Sequence, residues 1–120
     1  MRSQYLQDLQ QRLRDFAVER DWEQFHSPKN LVMAMNVEAA ELMEHFQWMT
    51  EEQSNALSDK QRDEVAYEMA DVFIYLMRLS ERLDINLTDY IENKIKLNAE
   101  KYPADKVRGS SKKYTEYEQG

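Results

Sequence analysis

Apolar residues recur at intervals of three and four through most of this 120-residue chain, and only two glycines and two prolines interrupt them. At about 100° per residue that spacing lines one face of a helix, so the pattern predicts an all-α fold. From about Ser3 to Arg20, Leu6, Leu9, Leu13, Phe16 and Ala17 alternate with Gln, Arg and Asp in an amphipathic first helix that ends near Asp21. Trp22 to His26 is aromatic and irregular. Ser27-Pro28 then reads as a helix start, because serine caps and proline suits the first turn, where no amide donor is needed. The second helix is expected from Pro28 to about Met49. Thr50 to Gln53 offers a capping box for a short turn, and Ser58 to Gln61 repeats that signature and opens a third helix to about Leu83. Asp84-Ile85-Asn86 is a tight link in which Asn86 can cap and Asp89 suits the helix dipole. A fourth helix carries Leu87, Tyr90, Ile91, Ile95 and Leu97 and ends at Lys101-Tyr102-Pro103. The expectation is a four-helix bundle over residues 1–103, followed by an arm over 104–120 that has no core of its own.

Two acidic repeats break the apolar lettering. Glu38-Ala39-Ala40-Glu41 and Glu68-Met69-Ala70-Asp71 each set carboxylates one helical turn apart. Glu38, Glu41 and His45 share a strip of about 60° beside the apolar side of the second helix. On the third, Glu64, Glu68, Asp71 and Tyr75 form a similar strip beside Val65, Met69, Val72, Phe73, Leu76, Leu79 and Leu83. Two helices packed through those stripes would gather four or five carboxylates, which repel one another or take up protons. Either the strips point apart into water, or a polyvalent cation sits between them. With no cysteine and two histidines in the chain, the donors are oxygens, which suit Mg²⁺ or Mn²⁺ better than zinc or copper. Magnesium keeps several waters and completes its shell with substrate oxygens, so the pattern points on to phosphates.

Composition narrows the partners. A net charge of −7 and a pI near 4.9 oppose binding to a nucleic-acid polymer or an anionic membrane. No apolar run is long enough to span a bilayer, and Met1 to Gln7 lacks the core of a signal peptide. Absence of cysteine favours a cytoplasmic location. The third helix is nearly apolar all round, with Ala66, Ala70 and Met77 on the side away from the acids, and this predicts a homo-oligomer.

The order of these features resembles the all-α nucleoside triphosphate pyrophosphohydrolases of the MazG-like superfamily, whose mark is E-x-x-E followed by E-x-x-D. Surrounding words are similar to its dCTP pyrophosphatase branch: Glu19 to His26, Pro28 to Leu31, Phe46-Gln47-Trp48, Asp71 to Leu76, Lys101-Tyr102-Pro103, Arg108 to Ser110 and Lys113 to Thr115. The resemblance implies a fold of the MazG-like type and hydrolysis of a pyrimidine deoxynucleoside triphosphate, dCTP or a modified relative, to the monophosphate and pyrophosphate. It implies Mg²⁺ held by Glu38, Glu41, Glu68 and Asp71, substrate contacts from Lys94, Asn98, Lys101 and Tyr102, and a tetramer built as a dimer of dimers. Leu13 stands where animal members of the branch carry histidine, which leaves the base preference open.

Lys94, Asn98 and Lys101, spaced by four and three, share one face of the fourth helix. Trp22, His26 and Trp48 are the candidates for a base pocket, since flat rings stack on a nucleobase and an imidazole can read its edge. The expected chemistry is in-line attack by a metal-activated water on the α-phosphorus, with Glu41 as the group that takes the proton and Glu44 and Glu64 as outer supports. Lys106, Arg108, Lys112 and Lys113 on the arm either fold over a neighbouring subunit's phosphates or are solvated. Three rivals remain open at this level. One is a broader or dUTP-type pyrophosphohydrolase. A second is a non-enzymatic helical scaffold, which predicts no interest in divalent metal. The third, a di-iron carboxylate bundle, needs two Glu-x-x-His units where the chain has only Glu23 to His26.

Overall fold

The structure is a computed structural model and describes residues 3–109. Its elements are α1 (Gln4–Glu19), a single 3₁₀ turn (Glu23–Phe25), α2 (Pro28–Glu44), α3 (Glu51–Ser54), α4 (Asp59–Arg82), α5 (Leu87–Lys101) and α6 (Ala104–Val107). Among the described residues there is no strand, as the helical periodicity and lack of breakers require. No helix there is long and apolar enough to cross a membrane.

The starts follow the local chemistry closely. Ser3 accepts from the Leu6 amide at 3.3 Å and Ser27 from the Asn30 amide at 3.2 Å, with Pro28 in the first turn of α2. Thr50 and Ser58 each close a full capping box, their N3 glutamines Gln53 and Gln61 reaching back to the cap amides. Asn86 precedes α5 as expected but does not cap it through its side chain. Its amide donates to Asp89 and its oxygen accepts from Thr88 instead.

The second helix is shorter than the sequence reading gave it. It stops at Glu44, and the backbone tightens to bonds such as Phe46 to Met43 at 2.9 Å and Met49 to Phe46 at 2.9 Å. Thr50 must leave the helical region to serve as a cap, and it does so at φ −75°, ψ 164°. The chain unwinds just before it.

Residues Ser3–Ile85 form one compact unit, and the described residues from Asn86 onward belong to another. Within the first, α4 is the axis. It packs along α2 and more lightly against α1, which is tied on by Gln10 donating to Ser80 at 3.1 Å and by the Arg14–Glu81 ion pair. Among the described residues Ala17, Leu31, Val65 and Met77 make the buried hydrophobic core, with Leu31 and Met77 fully buried. Met77 meets the expectation for the far side of this helix, whereas Ala66 and Ala70 are exposed. The second unit holds α5 and α6. On α5, Ile91, Ile95 and Leu97 are each about half exposed. Of the arm, Lys106 and Arg108 are exposed, while Lys112 and Lys113 lie outside the described residues.

Candidate active site

Glu38 and Glu41 project from the middle of α2, Glu68 and Asp71 from the middle of α4, and packing the two helices turns the acids inward. One carboxylate oxygen from each of Glu38, Glu41 and Glu68 lies within 4.8 Å of the others. Strips pointing apart into water are therefore excluded. Asp71 is more exposed and stands outside that triplet, but it lines the same cavity as Glu38. Glu44 and Glu64, expected as outer supports, are exposed and also lie outside it.

Crowding shows in the protonation of Glu38. Burial, a side-chain hydrogen bond with Glu41, and the negative charges of Glu41, Asp71 and Glu68 push its pKa up to about 7. Two carboxyl groups can share a hydrogen bond only when one is protonated. Glu68 has one oxygen 3.8 Å from His45 Nε2, while its other oxygen, Oε2, is buried with no partner. An orphaned carboxylate oxygen inside a like-charged, all-oxygen cluster is what a hard divalent cation would satisfy.

Beside the acids opens a cavity of about 330 Å³ lined by Leu13, Phe16, Ala17, Trp22, His26, Glu38, Asp71, Ile74, Tyr75 and Arg78, a volume that suits a small organic ligand. Its aromatic wall is built by a turn. Asp21 takes a left-handed backbone at φ 53°, and the amides of Asp21 and Trp22 bond back to Val18 at 3.0 Å and Ala17 at 2.9 Å. This closes α1 and throws the indole back over it. Trp22 meets Phe16 edge to face with centroids 5.8 Å apart, and His26 lies 6.4 Å from Trp22.

Of the three rings expected at a base pocket, Trp22 and His26 line this cavity and Trp48 does not. Trp48 follows the end of α2 and is 89% exposed. Tyr75 and Arg78 were not singled out as site residues. Tyr75 lies one turn past Asp71 on α4, and burial together with the charges of Glu38 and Asp71 raises its pKa. Its place on the acidic strip was the available signal. Lys94, Asn98 and Lys101 share a face of α5, and the Tyr102 amide closes that helix on Asn98 O at 2.8 Å. They belong to the second compact unit.

The chain is also similar to known proteins. Over 117 residues the chain is 41% identical to dCTP pyrophosphatase 1 of Homo sapiens and of Mus musculus, covering 96% of this chain and 69% of each relative. A crystal structure of a pyrophosphatase from Archaeoglobus fulgidus matches with a TM-score of 0.80 at 35% identity, covering 86% of this chain and 96% of that one. The profile of the MazG-like family matches residues 33–117, a stretch that contains all four acids. On that match and those identities, the chain belongs to the MazG-like family.

Proposed function

We propose that this chain hydrolyses a pyrimidine deoxynucleoside triphosphate, dCTP or a base-modified relative, to the monophosphate and pyrophosphate, with Mg²⁺ as the cation and Mn²⁺ as a substitute. The observation that carries this reading is the convergence of Glu38, Glu41 and Glu68 beside an aromatic cavity, in a chain similar to dCTP pyrophosphatase 1 over 96% of its length. Glu38, Glu41, Glu68 and Asp71 would hold the ion. The all-oxygen donor set, the partnerless Glu68 Oε2 and the raised Glu38 pKa all fit a bound divalent cation.

When bound, such an ion supplies positive charge against the phosphate oxygens and makes water a better nucleophile. The chain's own groups do the rest. Trp22 stacks on the base, and Tyr75 and His26 close its edge, which fixes where the triphosphate enters. Glu41 takes the proton of the attacking water, the bond from the α-phosphorus to its bridging oxygen breaks, and pyrophosphate leaves in line. Lys94, Asn98, Lys101 and Tyr102 are proposed as substrate contacts on the family resemblance alone.

A panel of nucleoside triphosphates with Mg²⁺ tests the reading, scoring pyrophosphate against orthophosphate. Pyrophosphate from dCTP in preference to purine forms is the expected result. Orthophosphate alone would contradict attack at the α-phosphorus, and silence across the panel would leave only a helical scaffold.

A further inference from the structure

One wall of the cavity carries a charge that hydrolysis does not call for. Arg78 follows Tyr75 by one turn on α4, is 2% exposed, and lies in the apolar run Ile74 to Leu79. A buried guanidinium is tolerated only when its charge is met. Here Nη2 donates to Glu23 at 3.1 Å and Nη1 to Glu81 at 3.1 Å, and Arg14 holds Glu81 in turn, while Nε is buried without a partner. These pairs fix the fork in place.

The same Nη2 lies 3.4 Å from Nδ1 of His26. A guanidinium has donors and no acceptor, so this contact is attractive only when Nδ1 carries no proton. A neutral imidazole then has its proton on Nε2. Burial and the Arg78 charge hold the His26 pKa below the ordinary histidine value, with Glu23 opposing and Arg82 adding to the depression. The ring therefore stays neutral, with one donor and one acceptor, and the acceptor is spoken for.

We infer that Arg78 is a positioning residue for base recognition: clamped by Glu23 and Glu81, it fixes His26 as the Nε2–H tautomer, so that the imidazole presents the cavity with a donor and selects a base edge bearing a carbonyl oxygen or an unprotonated ring nitrogen. The recognition half of this rests on the cavity being the base pocket. The tautomer half does not, and it is measurable on the free enzyme.

Nitrogen-15 NMR of the histidine side chains in the ligand-free protein reads the tautomer directly. His26 is expected as Nε2–H at neutral pH, and Arg78→Met is expected to convert it to a tautomer mixture or to imidazolium. Finding Nδ1–H or a cationic ring in the unsubstituted protein overturns the inference, as does an unchanged His26 signal in Arg78→Met. Arg78→Lys retains a charged donor. It should keep the tautomer and bring KM back towards the unsubstituted value, which serves if the methionine variant does not fold; a lysine variant that folds but loses the Nε2–H form also overturns the inference.

Kinetics test the second half. In Arg78→Met the KM for dCTP is expected to rise about tenfold with kcat within about threefold, the pattern of lost binding in ground and transition states alike. A KM that does not move, while Trp22→Ala still raises it, overturns the recognition role and leaves the base pocket standing. If Trp22→Ala is silent as well, it is the pocket reading that has failed.

Discussion

Glu38 is the residue on which protonation, metal and folding meet. Its pKa stands at about 7 against an ordinary 4.5, raised first by burial and then by its hydrogen bond with Glu41 and the charges around it. An acid whose folded pKa lies above its unfolded one binds more protons when folded across that window, so stability falls as pH rises from about 4.5 through about 7. In EDTA the melting temperature should therefore decline over that range. Mg²⁺ should restore it most at the alkaline end, because binding there displaces no proton. Glu38→Gln removes the titration, and both the decline and the rescue should shrink. The same variant is expected to lose about 100-fold or more in turnover, since even outer partners of a metal ligand are worth 10–100-fold. At the other end of the cavity, Trp22→Ala removes a stacking face worth about 1–3 kcal/mol. That corresponds to a KM raised by roughly tenfold, read in the same pyrophosphate assay.

Helix ends decide where these residues stand, and α1 and α4 end alike. Asp21 after α1 and Asp84 after α4 each take φ 53°. The Ile85 amide bonds to Ser80 at 2.8 Å and the Asp84 amide to Glu81 at 3.0 Å, repeating the pattern that turns Trp22 into the cavity. Aspartate is a poor occupant of that position, since it strains in the left-handed region and puts a negative charge at the negative end of the helix dipole. Asp84→Gly should relieve both, raising stability by about 0.5–1 kcal/mol in denaturant melts with activity intact. That two aspartates do glycine's usual task explains why the sequence revealed a link at each place but not its geometry. The starts at Thr50 and Ser58 were legible because a cap and its N3 partner are written within four residues, and the start at Ser27 because Pro28 follows it. The end of α2 was not, because His45 to Met49 has no breaker and the cause lies downstream in Thr50. The acid cluster was readable from two i,i+3 pairs bordering apolar stripes. Arg78 was not, because an arginine within an apolar helix is recognised only by partners distant in sequence, Glu23 and His26.

For the molecule as a whole the unresolved term is apolar surface. Met33, Val37 and Met43 on α2 and Tyr67, Met69 and Phe73 on α4 are between 42% and 75% exposed, while among the described residues only Ala17, Leu31, Val65 and Met77 form the buried hydrophobic core. The near-apolar circumference of α4 had suggested a second buried face at Ala66, Ala70 and Met77; Ala66 and Ala70 are exposed, and so are Met69 and Phe73 of the stripe expected to pack inward. Half-exposed residues of this size gain on the order of 1 kcal/mol each when covered, and association costs roughly 4–15 kcal/mol before any net affinity appears. Six such side chains come to about 6 kcal/mol on one copy, already inside the lower part of that range. In a two-fold interface each residue counts on both copies, so even part of this set clears the lower end. The expected outcome is a homo-oligomer, with four chains the number the family resemblance implies. Light scattering should give a multiple of the 14.4 kDa chain mass. Because Met69 and Phe73 lie one turn apart on the same side of α4, the paired change Met69→Lys and Phe73→Lys should place charges in the middle of that interface and shift the mass towards a smaller species. A 14.4 kDa particle at high protein concentration, with full activity, would show instead that this apolar face is tolerated in water and that the catalytic unit is a single chain.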